Sequence, residues 1–142
     1  MQYEQLMVTT RPIYLNVSDL MTTSLVTVRP GNAVSRADAE MRWAGIRHLL
    51  VVDDRQRLVG ILSNRDLLGA LARSSGKTVH VVDVMTRNVR TVTADVSARR
   101  AAALLLEHKI GCLPVVGEEE QLVGIVTETD FLRLAYELLG RP

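Results

Sequence analysis

Displaced by 64 positions, the chain lies on itself: residues 19–68 fall on residues 83–132 without a gap, and 18 of the 50 aligned positions are identical. Chance leaves only a few identities over such a length, so two copies of one unit are present. Asp19-Leu20-Met21-Thr22 falls on Asp83-Val84-Met85-Thr86, and Thr27-Val28 on Thr91-Val92. Arg36-Ala37 matches Arg100-Ala101, Val51-Val52 matches Val115-Val116, and Leu58-Val59-Gly60-Ile61 matches Leu122-Val123-Gly124-Ile125. Asp66 and Leu68 fall on Asp130 and Leu132. A unit this small buries too little apolar surface alone, which predicts that the two pack face to face about an approximate two-fold axis.

Each unit reads as strand, helix, strand, strand, helix. The β-branched run 25–28 is closed by the turn residues Arg29-Pro30-Gly31-Asn32. Val34, Ala37, Met41 and Ala44 then recur at helical spacing, as do Ala98, Ala101 and Leu105 in the second copy. Trp43 lies on the first of these helices and reads as packing. Four consecutive apolar residues, 49–52, suit a strand covered on both faces, and 58–62 form a second strand. The acidic Glu118-Glu119-Glu120 reads as a solvated hairpin tip, since a metal site would need more ligands at better spacing. The final helices start after Ser63 and Thr127. Strands and helices mix without a run of alternating βα units, so the expected class is α+β (mixed α/β). Each repeat is then a short β-sheet with helices packed on it, and the two share one core. The expected divisions are an N-terminal arm at 1–16, repeat one at 17–73, a polar linker at 74–80, repeat two at 81–138 and a tail at 139–142.

Composition narrows the function. The formal net charge is +1, with the basic residues scattered, so there is no excess of Lys and Arg to neutralise nucleic-acid phosphates. The single cysteine, Cys112, excludes an internal disulfide and a thiolate metal cluster, and its apolar surroundings in sequence make it a small buried hydrophobe. No signal-peptide pattern opens the chain, and no run of about 18 apolar residues suits a membrane span. A cytoplasmic protein is expected. No phosphate-binding P-loop, G-x-S-x-G elbow or H-E-x-x-H pair is present, which argues against an enzyme. His48, His80 and His108 are far apart, and His108 and Cys112 straddle Gly111, so no metal is expected.

Ser63-Asn64-Arg65-Asp66 and Thr127-Glu128-Thr129-Asp130 carry two compatible meanings. A Ser or Thr followed three residues later by an acid has the spacing of a helix capping box. The same geometry suits a nucleotide, because a helix start offers unpaired N–H groups and a hydroxyl to phosphate. A carboxylate one turn on can accept from two adjacent ribose hydroxyls.

The ordered set of motifs resembles the tandem CBS-domain family, named after cystathionine β-synthase. The resemblance runs from Asp19-Leu20-Met21-Thr22 and Asp83-Val84-Met85-Thr86 through Ile46-Arg47-His48-Leu49-Leu50-Val51-Val52-Asp53 and Ile110-Gly111-Cys112-Leu113-Pro114-Val115-Val116. It closes on 58–66 and 122–130, and covers roughly residues 17–135. Leu50 departs from the proline more usual there, which the second copy keeps as Pro114. The resemblance implies a pseudo-symmetric pair with two clefts that often hold AMP, ADP, ATP or S-adenosyl ligands, and often a homodimer formed through helices. It implies an effector rather than a required cofactor, and an output passed to another, unknown protein. It assigns Asp66 and Asp130 to the ribose, and Ser63 and Thr127 to phosphate or nearby sugar. It places Leu25, Val89, Ile46 and Ile110 in the adenine slot.

Arg47 and His48 stand where family members often carry basic residues that reach phosphates from the opposite repeat; their counterparts are Gly111 and Cys112. The cleft of Thr127 and Asp130, facing Arg47 and His48, is therefore expected to prefer an anionic nucleotide. The cleft of Ser63 and Asp66 is expected to be empty or to take a less charged adenosyl ligand, with Arg65 compensating in part. The alternative is a structural dimerisation or partner-binding module whose clefts are vestigial.

Overall fold

The computed structural model describes residues 12–140. Positions 1–11 of the expected arm and 141–142 of the expected tail lie outside the described residues. The first repeat runs α1 (Val17–Leu20), β1 (Thr27–Val28), α2 (Val34–Ala44), β2 (His48–Val52), β3 (Leu58–Ser63) and α3 (Asn64–Arg73). The second runs α4 (Val81–Val84), α5 (Ala98–His108), β4 (Cys112–Val116), a 3-10 turn at Glu118–Glu120, β5 (Leu122–Thr127) and α6 (Glu128–Leu138). The mixed α+β class and the two repeats stand as expected. Periodicity did not reveal α1 and α4, because a single turn is too short to show a stripe. Their shared signal is the repeated aspartate: Asp19 and Asp83 each accept the backbone N–H three residues back, from Asn16 (2.8 Å) and His80 (3.2 Å).

Two core clusters form, one on each repeat, rather than the single shared core expected, and the halves complete each other's by exchanging these one-turn helices. The Val17 and Ser18 N–H groups donate to the Val96 (2.8 Å) and Ala94 (3.0 Å) carbonyls of the other repeat. In the mirror arrangement, Val81 and Val82 donate to Asn32 (2.8 Å) and Pro30 (3.0 Å). Val81 and Met85 are buried beside Val34, Met41, Leu49 and Leu62 of the first repeat. Val17 is buried beside Leu104, Leu105, Leu113 and Val126 of the second. Each fully buried valine contributes about 1.5–3 kcal/mol, and here that energy holds one repeat to the other.

The chain after each one-turn helix then pairs with the opposite hairpin. Thr22 exchanges two backbone hydrogen bonds with Ile125 (2.9 and 3.0 Å), and Thr86 does the same with Ile61 (2.9 and 3.0 Å). These contacts explain the glycine in each Leu-Val-Gly-Ile. A Cβ on Gly60 would sit 2.6 Å from the Met85 sulfur and 3.1 Å from the Thr86 carbonyl; one on Gly124 would meet Met21 at 2.8 Å and Thr22 at 3.1 Å.

The two sheets are unequal. In the first repeat β1 pairs parallel to β2, with Thr27 opposite Leu50, and β2 pairs antiparallel to β3. In the second, β4 pairs with β5, and the segment equivalent to β1 is reduced to a bridge between Val92 and Val115. Pro114 replaces Leu50 there and has no N–H to extend a parallel ladder. The acidic tip 118–120 is exposed, as expected. Trp43 is a correction: it is 86% exposed on α2 and does not pack, because the apolar stripe of that helix is already complete with Val34, Ala37 and Met41.

Candidate functional site

The helix starts that carry Ser63 and Thr127 are both capping boxes. Asp66 Oδ2 accepts the Ser63 N–H (3.2 Å), and the Ser63 hydroxyl accepts the Asp66 N–H (3.1 Å). At the second start, Asp130 Oδ2 accepts both the N–H (2.8 Å) and the hydroxyl (3.3 Å) of Thr127. One carboxylate oxygen thus serves the helix in each case. Among the described residues, Asp66 Oδ1 has no hydrogen-bond partner, and Asp130 Oδ1 has only Arg133, at 3.7 Å. Each start is pinned to the segment leading into the neighbouring strand, Asn64 donating to the Arg47 carbonyl (2.9 Å) and Glu128 to the Gly111 carbonyl (3.0 Å).

Ser63 and Asp66 face a cleft of about 450 Å³ between the repeats. Ile61 lines it from repeat one, and Thr86, Asn88, Val89 and Arg90 from the exchanged segment. The end of α5 and the start of β4 close it with His108, Lys109, Ile110, Gly111 and Cys112. The Ile61–Thr86 pairing sets its floor. Of the residues singled out in the sequence, Ser63, Asp66, Val89, Ile110 and His48 meet here. Arg65 is exposed and does not line this cleft. Arg47, also exposed, contributes only its carbonyl to the Asn64 contact. Leu25 and Ile46 are half-buried, Ile46 packing against the first core. Thr127 and Asp130 occupy the places equivalent to Ser63 and Asp66, beside the Thr22–Ile125 pairing.

Two findings depart from the charge distribution expected from the sequence. His48 lines the cleft of Ser63 and Asp66, where it was expected to serve that of Thr127 and Asp130. Gly111 is the reason: a Cβ there would lie 2.8 Å from the imidazole Cε1, so the absent side chain makes the room that His48 fills. The same cleft also holds Arg90, Lys109 and His108. A 64-residue displacement sets these opposite Val26, Gly45 and Ala44. That contrast between non-identical positions is the signal the sequence offers for these residues.

Burial holds His48 below its ordinary value, with Arg47 adding to the depression and the Glu128 and Asp66 carboxylates opposing it. It is neutral at pH 7 and can both donate and accept a hydrogen bond. Cys112 is buried as expected, and burial, reinforced by Glu128, pushes its thiol up to about 12. It is therefore an apolar wall residue rather than a nucleophile. Among the described residues no group of three or more His, Cys, Asp or Glu is arranged to hold a metal, and no helix is long and apolar enough to cross a membrane.

The CBS domain model matches residues 17–73 and again 81–137. The chain belongs to the CBS domain family. Among solved CBS structures, it is similar to the CBS domain pair of protein MJ0100 in complex with 5′-methylthioadenosine and S-adenosyl-L-methionine. Identity is 30%, the TM-score is 0.82, and the match covers 89% of this chain and all of that one. It is also similar to CBSX2 of Arabidopsis thaliana, solved in complex with AMP, at 33% identity and a TM-score of 0.77, over 87% of this chain and 97% of that one. Among curated proteins, a homoserine O-acetyltransferase of Methanococcoides burtonii is 35% identical over 121 residues, 85% of this chain. The CBS pair spans only 24% of the length of that relative.

Proposed function

We propose that this CBS pair is a regulatory module that binds an adenine nucleotide or adenosyl compound, of the AMP, ADP, ATP and S-adenosylmethionine class, in the clefts between its repeats. The observation that carries this reading is Asp66 Oδ1, an acceptor left without a partner while Oδ2 caps the helix, on the wall of a cleft walled by Val89 and Ile110. A pair of ribose hydroxyls supplies the donors such an oxygen lacks, and the apolar walls suit a flat base. The ligands of MJ0100 and CBSX2 support the same chemical class. Val89 and Ile110 are assigned to the base, Asp66 to the ribose, and Ser63 to the sugar or phosphate. Leu25, Ile46, Thr127 and Asp130 have the corresponding roles on the other side. The role is regulatory rather than catalytic, with the ligand as effector and the output passed to a partner protein in the cytoplasm.

A homodimer is part of this proposal. Ala102, Leu105, Leu106, Phe131 and Leu132 line an apolar groove of about 380 Å³ between α5 and α6, with Leu106 and Leu132 largely exposed.

Native mass spectrometry of freshly purified protein should show a retained adenosyl ligand. Calorimetric titration with adenosine should give binding that Asp66→Asn weakens about tenfold or more, since Asn keeps one acceptor for the cap but loses the second. Unchanged affinity in that variant removes the ribose assignment. No thermal shift with any of these compounds favours a structural module.

A further inference from the structure

We infer that the cleft of Ser63 and Asp66 takes an adenosine ligand with an anionic 5′ substituent, a phosphate or phosphate chain, and discriminates against the cationic sulfonium of S-adenosylmethionine. This rests on the nucleoside reading above and names the ligand class of one cleft. It departs from the expectation from sequence that this cleft is empty or takes a less charged adenosyl ligand.

Arg90 and Lys109 both line the cleft, and Asp66 is the one acid among its lining residues. With that carboxylate engaged by the helix cap on one oxygen and by ribose on the other, and with Glu128 acting on His48 and Cys112, Arg90 and Lys109 are left without an anion paired to them among the described residues. A phosphate group provides that charge, and charge-assisted contacts are the stronger kind. A sulfonium placed at the same carbon meets like charge.

Lys109 carries a second, independent observation. It ends α5 in the left-handed region, with φ 51° and ψ 46°, where the equivalent residue ending α2 is Gly45 with φ 66° and ψ 34°. A lysine is disfavoured there relative to glycine by about 1 kcal/mol. The chain nonetheless holds a lysine among the lining residues of this cleft and glycine at its equivalent.

The other helix start lacks these cations. The first turn of α6 carries Asp130 as that of α3 carries Asp66, and its additional Glu128 lines the α5–α6 groove and acts on His48 and Cys112 of the Ser63 cleft. Val26 and Gly45 replace Arg90 and Lys109 on that side. The two-fold repeat supplies the same capped aspartate twice, and the surrounding charges then separate the two sides by the charge of the ligand they accept.

The test is calorimetric titration of wild type and Arg90→Val/Lys109→Gly with adenosine, AMP, ATP and S-adenosylmethionine. Each substituted residue is the one the first repeat already uses, and glycine suits the backbone at 109. Wild type should bind AMP about tenfold tighter than adenosine, with the advantage falling as salt rises from about 0.05 to about 0.5 M, since both cations are exposed. The double variant should lose that advantage, keep its adenosine affinity, and bind S-adenosylmethionine at least as well as before. Equal wild-type affinities for adenosine and AMP overturn the inference and leave the nucleoside reading intact, as does an AMP advantage that is salt-independent or survives in the variant. Absence of binding by wild type to all four compounds removes the nucleoside reading and this inference with it. The wild-type salt series decides the matter if the double variant fails to fold.

Discussion

The two capped helix starts share an aspartate whose Oδ2 accepts the N–H three residues back, yet they stand in different electrical surroundings. Ser63 and Asp66 share a cleft with Arg90, Lys109, His108 and His48, the last being the cross-strand neighbour of Ser63. Thr127 and Asp130 begin the helix that also carries Glu128, and the positions equivalent to Arg90, Lys109, His108 and His48 hold Val26, Gly45, Ala44 and Cys112. Identical residues therefore mark what the fold needs twice: the exchange contacts, the capped aspartate and the strand cores. The departures from the internal repeat carry the charge difference on which the proposed ligand preference rests. Gly111 opposite Arg47 shows the two levels meeting, because a missing side chain on one repeat admits an imidazole from the other.

The strongest way to break this comparison is to close one side sterically. In Gly60→Val the new side chain must displace Met85 and the Thr86 carbonyl, undoing the Ile61–Thr86 pairing under the Ser63 cleft. Denaturant unfolding should show a loss of about 1–3 kcal/mol, with weakened AMP binding. Gly124→Val should lose similar stability but retain AMP binding more fully. Equal loss of AMP binding in both variants would show that the clefts do not act separately.

A smaller effect sharpens the contrast at the helix ends. Lys109→Gly should raise stability by about 1 kcal/mol by relieving the left-handed lysine, and Gly45→Lys should lower it by a similar amount. Thermal or chemical denaturation of the two single variants checks the signs. A neutral outcome at both sites would remove the argument that the backbone disfavours a lysine there.

The smallest effect is in the pH dependence. His48 is held below its ordinary value of 6.5, so the unfolded chain takes up this proton first as pH falls. The associated stability is fully present above about pH 6.5 and is lost as pH falls through the depressed native value. Arg47 strengthens the trend, and Glu128 and Asp66 weaken it. His48→Gln should flatten the decline in melting temperature between about pH 7.5 and about pH 5. An unchanged decline would show that His48 does not contribute to it.

Much of this arrangement was legible in one dimension. The 64-residue displacement exposed the duplication, and helical spacing located α2 and α5. The Ser63 and Thr127 boundaries followed from capping chemistry, because a cap is written in four consecutive residues. Of the residues that line the cleft, Ser63, Asp66 and Ile110 were legible in the repeated motifs, whereas Val89 came only from the family resemblance. Trp43 was misplaced because a large apolar residue announces its hydrophobicity but not which way its helix faces.

What the chain determined by itself was local or periodic: two copies, their helices and hairpins, and a carboxylate set to cap each final helix. Only the tertiary structure decided that the one-turn helices cross between repeats, bringing Arg90 from the exchanged segment and Lys109 from the end of α5 to the wall that holds Asp66. The physical reason is that neither half covers its own core. Burying Val17 and Val81 against the opposite repeat is what completes both, and that same exchange places residues distant in sequence around one cleft.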